Sequence, residues 1–341
     1  MITIENLTKS YLTRAGRRLA LDDVSLQVDA GSVYGVLGAS GAGKSTLARC
    51  LSGQETPDRG SIRIGDTDLA SNPANRSAAA GRHVATVPAS NSLLRQRTVA
   101  GNVAMPLELA GVDGPDRRSR VGTVLDLVGL TERAAAGIGE LTAGQRARLN
   151  LARALVSQPT VLIADQPTRD TERADSVFVA LDRARAELGT TVVLLTSEAA
   201  DLRAACDEVA VLDGGRVVER GNLLTLATDA RSLISAAVLP EINAPRDAGA
   251  THQQIAEIVL VGFAAVGGLL PEAQRRFGVS LDVLGGGMTR FGETPLARFL
   301  IGVSGSGADA AVAYLAERAV VLHANSQRGR ETEAVLAPLA A

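Results

Sequence analysis

Residues 33–51 read VYGVLGASGAGKSTLARCL, and this stretch decides the fold. The apolar run at 33–37 has the composition of a short buried strand, a glycine-rich segment follows at 38–45, and residues 46–51 begin a helix. Strand, glycine loop and helix in this order are the context that a phosphate-binding loop requires. A chance glycine-rich turn would lack that context, so we predict a P-loop here.

The P-loop supplies the groups that bind a nucleoside triphosphate. Backbone N–H groups and the helix N-terminus surround the phosphates, Lys44 reaches the β- and γ-phosphates, and the Ser45 hydroxyl binds Mg²⁺. The chain has lysine only at positions 9 and 44, so a lysine at this motif position supports the P-loop prediction. We therefore expect ATP and Mg²⁺ as cofactors, bound here by Gly38, Ser40, Gly41, Gly43, Lys44, Ser45 and Thr46.

Length and composition set further limits. The chain has 341 residues, of which 46% are hydrophobic and 21% charged, which is typical of a globular protein of two domains. Its formal net charge of -2 gives no reason to expect a nucleic-acid partner. Two cysteines and three scattered histidines predict neither a disulfide framework nor a zinc site. Without a signal peptide or a run of about 18 apolar residues, we expect a cytoplasmic protein that reaches the membrane through a partner.

The first part of the chain alternates strands and helices. Short apolar runs predict strands at 2–7, 24–28, 161–164, 191–195 and 209–212. Residues 93–141 look mostly helical, with breaks at Pro106 and Pro115. This pattern predicts an α/β domain over residues 1–238, with a largely parallel sheet, helices on both faces and a helical subdomain.

A second domain follows a proline- and glycine-containing linker, which we place at 239–253. Over 254–341 the pattern predicts strands at 255–263, 280–286, 296–303 and 320–323 and helices at 269–277 and 309–318. The order βαββαβ is that of a small ferredoxin-like α+β domain. Three consecutive glycines at 285–287 indicate a bulge or a close backbone approach within one of its strands.

Further motifs resemble those of ABC-transporter nucleotide-binding subunits. LTAGQ at 141–145 occupies the place of the family's signature motif, and VLIAD at 161–165 that of Walker B. The resemblance implies that Asp165 holds Mg²⁺ through water and that Thr142, Gly144 and Gln145 contact nucleotide on a second cassette. It also implies that Tyr11 stacks on adenine, although taken alone Tyr11 would more often be a core residue.

Within that family, residues 34–50 and the stretch RTVAGNVAMPLEL at 97–109 resemble the ATPase subunits of methionine importers. The second domain resembles the regulatory domain of that group, which binds the amino acid and inhibits transport. This implies an integral-membrane permease as partner and a position on the inner face of the cell membrane. The candidate ligand residues are Gly285, Met288 and Phe291, but packing within a plain dimerisation domain is an equal alternative.

The chain departs from the family pattern at four active positions. Ala89 stands where the Q-loop glutamine belongs, Gln166 replaces the glutamate after Walker B, Ser197 replaces the switch histidine, and the D-loop reads RDTE at 169–172. A neutral amide cannot accept a proton, so the groups that activate water are lost while those that bind phosphate are kept. Two hypotheses follow: a transport ATPase subunit, or a nucleotide-binding subunit that hydrolyses ATP very slowly, as the degenerate half of a heterodimer or as a regulator.

Overall fold

The computed structural model describes residues 1–14, 16–69, 83–89, 92–169, 171, 174–243 and 252–323. The chain forms two compact units, Met1–Arg220 and Gly221–Ala341. Residues 221–238 thus group with the second unit, and our domain boundaries at 238 and 253 remain a prediction. Within the described ranges no helix is long and apolar enough to cross a membrane.

The first unit alternates strands and helices after two long initial strands. In chain order its elements are β1 (Ile2–Thr13), β2 (Gly16–Val28), β3 (Val33–Leu37), α1 (Lys44–Leu51), β4 (Arg59–Ile64), β5 (Thr67–Asp68), β6 (Val84–Val87), α2 (Val99–Leu109), α3 (Gly114–Leu127), α4 (Ala143–Leu155), β7 (Val161–Asp165), α5 (Asp175–Leu188), β8 (Thr191–Thr196), α6 (Ala199–Ala205), β9 (Glu208–Asp213) and β10 (Arg216–Asn222).

A six-stranded sheet lies at the centre of this unit, in the order β10-β9-β3-β8-β7-β6. The neighbours from β9 to β6 are parallel, which confirms the predicted α/β sheet. Every residue of β3, β7 and β8 is buried, because both faces of the sheet are covered. The carboxyl ends of these three strands therefore meet at one edge, where ligands bind in open α/β folds.

One face of the parallel sheet differs from our expectation. Helix α1 covers it through Leu47 and Leu51, together with a second, antiparallel sheet in the order β2-β1-β4-β5. We predicted only the apolar ends of β1 and β2, because the outer halves of both strands are mainly polar and at most partly buried. Pairing between the two strands extends them to the turn at Thr13 and Gly16.

The helical region corrects one prediction and refines another. Pro106 does not break the chain but lies inside α2. Burial of Val99, Val103 and Leu107 along one helix face outweighs the hydrogen bond that proline cannot donate. Pro115 lies in the first turn of α3, where the missing N–H has no intrahelical partner in any case.

The second unit begins with two short helices and continues as the predicted βαββαβ domain. Its sheet has the order β12-β13-β11-β14, and all its pairs are antiparallel, as in ferredoxin-like folds. The elements are α7 (Leu223–Ala227), α8 (Leu233–Val238), β11 (Gln254–Val261), α9 (Phe263–Val266), α10 (Leu269–Phe277), β12 (Ser280–Phe291), β13 (Thr294–Ser304), α11 (Ala308–Ala316) and β14 (Val320–His323).

Two details of this sheet follow from glycines. The first strand ends before Phe263, which we had included, because Gly262 turns the chain with φ 64° and Phe263 starts α9. The predicted irregularity at 285–287 is confirmed: the register shifts between Val283 and Gly285. A Cβ atom on Gly286, at φ 106°, would lie 2.0 Å from the carbonyl oxygen of Arg298, so this position requires glycine.

Candidate nucleotide-binding site

The glycine loop between β3 and α1 has the geometry of a phosphate cradle. Gly43 precedes α1 with φ 114°, and a Cβ atom there would lie 2.4 Å from the carbonyl oxygen of Ala20. At Gly38 a Cβ atom would lie 2.6 Å from the carbonyl oxygen of Leu212. Larger side chains at Gly38 and Gly43 would therefore clash with the neighbouring backbone and displace the loop. Ser40, Gly41 and Ser45 are exposed at its rim.

Lys44 is the buried cation of this loop, with 4% of its surface exposed. Its Nζ donates hydrogen bonds to the carbonyl oxygens of Gly38 and, at 3.0 Å, Ala39. Burial lowers the pKa of Lys44, and the nearby Asp165 carboxylate opposes that shift. The ammonium is thus held against the loop backbone, where an anionic phosphate would restore its preference for the charged form.

Ser45 and Asp165 come together from α1 and the end of β7. The Ser45 hydroxyl donates a hydrogen bond to Asp165 Oδ2 at 3.1 Å. Asp165 is buried, and burial raises the pKa of its carboxyl against the lowering effect of Ser45, Lys44, Arg169 and Arg49. Two adjacent protein oxygens fit Mg²⁺, which takes few protein ligands and completes its shell with phosphate and water.

Tyr11 lies beside the first turn of α1. Its hydroxyl donates to Glu55, accepts from Arg49 Nη2 at 3.1 Å, and lies 3.4 Å from Thr46 Oγ1. The Lys9 ammonium lies 5.6 Å from the ring centroid. This network, which sequence reasoning missed, fixes the hydroxyl end of Tyr11 next to Thr46; stacking of its ring on adenine remains a prediction.

The substituted positions gather at the carboxyl ends of β6, β7 and β8. Ala89 and Gln166 line one cleft of about 240 Å³, and Ser197 follows β8 directly. Gln166 has φ 46°, and its backbone N–H donates to the Leu195 carbonyl at 2.8 Å. Ser197 is not among the residues that line this cleft. Of Ala89, Gln166 and Ser197, the structure therefore joins the first two, and none of the three side chains can accept a proton as a carboxylate would. Of the fourth departure, the D-loop at 169–172, positions 170 and 172 lie outside the described residues.

A buried carboxylate that the sequence did not reveal lies beneath these positions. Asp201, on α6, is 4% exposed and accepts hydrogen bonds from the Thr168 hydroxyl at 3.1 Å and the Thr196 hydroxyl at 2.6 Å. Burial raises the pKa of Asp201, and the two hydroxyls oppose the shift. Asp201 thereby ties the segment after β7 to the end of β8. No spacing signals this contact, because it depends on tertiary packing.

The signature-like motif forms the start of α4. Thr142 caps the helix: its hydroxyl accepts from the Gln145 N–H at 3.3 Å, and Gln145 Oε1 accepts from the Thr142 N–H at 2.8 Å. At Gly144 a Cβ atom would meet its nearest neighbour, Ser176 Oγ, at 3.8 Å, an ordinary contact. Contact of Thr142, Gly144 and Gln145 with nucleotide on another cassette remains a prediction.

The candidate ligand residues of the second unit lie along β12 but not on one face. Met288 pairs with Ala297 and is 54% exposed, whereas Phe291 pairs with Thr294 and is 9% exposed. Their odd spacing in a regularly paired strand places them on opposite faces. A site on one face can therefore include Met288 or Phe291 but not both, and the same odd spacing separates Gly285 from Met288. Ligand binding by Gly285, Met288 or Phe291 remains a prediction.

Comparisons with known proteins agree with this geometry. The family model described as ABC transporter matches residues 21–169, and that of the NIL domain matches 254–323. The chain is 37% identical over 324 residues to a methionine import ATP-binding protein from Thermobifida fusca, covering 94% of this chain and 99% of the relative. It is 38% identical over 328 residues to one from Myxococcus xanthus, covering 94% and 98%.

Solved structures resemble 65% of the chain. A dimeric bacterial ABC transporter cassette superposes with a TM-score of 0.59 at 26% identity, covering 65% of this chain and 98% of that one. A dimeric post-hydrolysis state of an ATP-binding cassette, bound to ADP and phosphate, gives a TM-score of 0.58 at 26% identity, with the same coverage.

Proposed function

The chain belongs to the ABC transporter family, among the methionine import ATP-binding proteins, and on this premise we propose that it is the ATP-binding subunit of an importer for methionine or a related amino acid. The observation that carries the proposal is the joined P-loop and Walker B edge, where Ser45 and Asp165 lie 3.1 Å apart beside Lys44. In this class of subunit, ATP supplies the free energy that drives transport.

Binding follows from groups that are already in position. The loop amides and the N-terminus of α1 stabilise phosphate charge, and Lys44 can transfer its hydrogen bonds from loop carbonyls to phosphate oxygens. Ser45 and Asp165 would hold Mg²⁺ between them. Tyr11 borders the same helix turn and is our candidate for the adenine contact.

The site is poorly equipped to hydrolyse ATP. Gln166 can orient a water molecule through its amide, but the amide cannot take the proton that the water must lose. Ser197 is too short to replace a histidine, and Ala89 has no polar side chain. We therefore expect slow turnover, with the bound state of ATP persisting.

Two partners complete the proposed importer. A second cassette is expected to pair with this one, so that Thr142 and Gln145 of each contact nucleotide on the other, and a permease in the cell membrane holds both at its inner face. The second cassette is either another copy of this chain or a chain with an intact glutamate and histidine. The C-terminal domain would bind an amino acid at the β12 edge; a purely dimerising domain remains the alternative.

Uptake in cells tests the proposal. The full chain is expressed with the permease of its own genome in a methionine auxotroph that lacks its own importer. A parallel strain also carries any intact second cassette from that genome, and growth of both strains on limiting methionine is scored. We expect growth with the wild type and none with Lys44→Ala. Intact ATP binding without restored growth or methionine uptake would contradict the assignment to methionine import.

A further inference from the structure

The cavity beside Ser45 and Asp165 carries an unusual balance of charge. It has a volume of about 790 Å³, and among the described residues its lining contains three arginines and one carboxylate, that of Asp165. The arginines are Arg49, Arg153 and Arg169. A cavity of this composition favours anions even before a metal ion enters.

The three arginines differ in how far their charge is already compensated. Arg49 forms an ion pair with Glu55 at 2.9 Å. Arg153 is held by neutral groups, with its Nη1 donating to the Ser92 carbonyl at 2.7 Å. Among the described residues, which exclude positions 170, 172 and 173, neither a hydrogen-bond acceptor nor a carboxylate pairs with the Arg169 guanidinium. Arg169 is therefore the cation best placed to take a new anionic partner.

A tight turn brings Arg169 to this position. Its backbone N–H donates to the Gln166 carbonyl at 3.2 Å, which folds the chain back directly after β7. Arg169 consequently lines both the larger cavity and the cleft that contains Ala89 and Gln166. Its positive charge acts on the Asp165 carboxylate and lowers the pKa of that group, against the effect of burial. The side chain thus lies within electrostatic range of the expected Mg²⁺ position.

The positive charge of Arg169 should weaken Mg²⁺ binding nearby and strengthen phosphate binding. Mg²⁺ normally neutralises phosphate oxygens beside the Walker B carboxylate, and here a fixed guanidinium lies in the same region. Gln166 removes a further negative charge that would have favoured the metal ion. A guanidinium binds phosphate oxygens in a bidentate manner and keeps its charge at any physiological pH.

We propose that Arg169 partly replaces Mg²⁺ in neutralising the phosphates, so that this chain binds ATP with little dependence on the metal ion. The inference rests on the proposed nucleotide site and adds to it a metal-independent mode of binding. Arg169 and Mg²⁺ then act on the same phosphate charge. The gain in ATP affinity that either one provides is therefore smaller when the other is present.

Calorimetric titration of the full-length protein with ATP tests this directly. Dissociation constants are measured in excess Mg²⁺ and in EDTA at constant ionic strength, because salt screens such interactions. For the wild type we expect the dissociation constant in EDTA to exceed that in Mg²⁺ by no more than about tenfold. For Arg169→Ser the ratio should rise by a further factor of about ten, which one unit charge at short range can produce.

Further variants separate the charge of Arg169 from its shape and from net charge. Arg169→Lys should stay closer to the wild type than Arg169→Gln. Arg185→Ser, which removes an arginine paired with Asp182 at 2.8 Å on α5, is the charge-matched control and should leave the ratio unchanged. Equal ratios for the wild type, Arg169→Ser and Arg169→Gln would overturn the inference while leaving the nucleotide site intact. Failure of the wild type to bind ATP in either buffer would overturn the proposed function as well.

Discussion

The phosphate-binding and water-activating sides of one site differ sharply in this chain. On the first side, Lys44, Ser45 and Asp165 keep the residue types and contacts that bind ATP and Mg²⁺. On the second side, Gln166 and Ser197 stand where proton-transfer groups are expected. The backbone nevertheless holds both sides in place, because burial and strand pairing are intact. The comparison teaches that a cassette can keep the architecture of its phosphate-binding side where the residue types expected to activate water are replaced.

The largest effect should come from removing the phosphate-binding cation. Lys44→Ala is expected to weaken ATP binding by about 100-fold or more, because charge-assisted hydrogen bonds to phosphate are lost from a buried position. Calorimetry measures the change, with Arg185→Ala as the control that should bind as the wild type does. Binding unchanged in Lys44→Ala would mean that the intact side of the site does not bind ATP.

Restoring the missing water-activating groups should raise the rate of ATP hydrolysis. We expect wild-type turnover far below the typical enzyme value of about 10 s⁻¹. Gln166→Glu with Ser197→His should raise the rate by about 10- to 100-fold, because a general base and a γ-phosphate contact are regained. A steady-state phosphate-release assay measures this, with Lys44→Ala added to the double variant as the inactive control. Wild-type turnover near 10 s⁻¹ would show that other residues activate the water.

Asp201 links the segment after β7 to the end of β8, and its contribution to stability can be tested by substitution. Asp201→Ala leaves the Thr168 and Thr196 hydroxyls without their acceptor, which should lower the free energy of unfolding by about 2 kcal/mol. Urea denaturation measures the change. Asp201→Asn retains an acceptor oxygen and should lose less. An alanine variant as stable as the wild type would exclude Asp201 as a link between the two segments.

Asp201 should also make the free energy of unfolding depend on pH, with a smaller change than the alanine variant produces. Burial raises the pKa of Asp201 in the folded protein, so folding favours its protonated form. Its contribution to stability is therefore fully present below the unfolded pKa, near about 3.9, and is lost as pH rises through the folded pKa. The free energy of unfolding is therefore compared between the wild type and Asp201→Asn. The stability of the wild type relative to this variant should decrease as pH increases from about 4. A difference independent of pH would contradict the raised pKa.

Prediction from sequence succeeded where local chemistry fixes the structure. The strand, glycine loop and helix around Lys44 follow from steric demands that the loop itself contains, and the βαββαβ order follows from regular alternation of apolar runs. Prediction failed where distant contacts decide. Pro106 stays helical because its neighbours are buried, and Asp201 meets its partners only after β8 and the segment following β7 are folded together.

The end of β8 also contacts both sides of the site through backbone atoms. The Gly38 N–H donates to the Thr196 carbonyl at 3.1 Å, and the Gln166 N–H donates to the Leu195 carbonyl at 2.8 Å. Opening of this strand end would release both amides to solvent in one event. Amide deuterium uptake at positions 38 and 166 should therefore rise and fall together, and occupancy of the P-loop should slow exchange at Gln166 even though that residue itself need not contact phosphate.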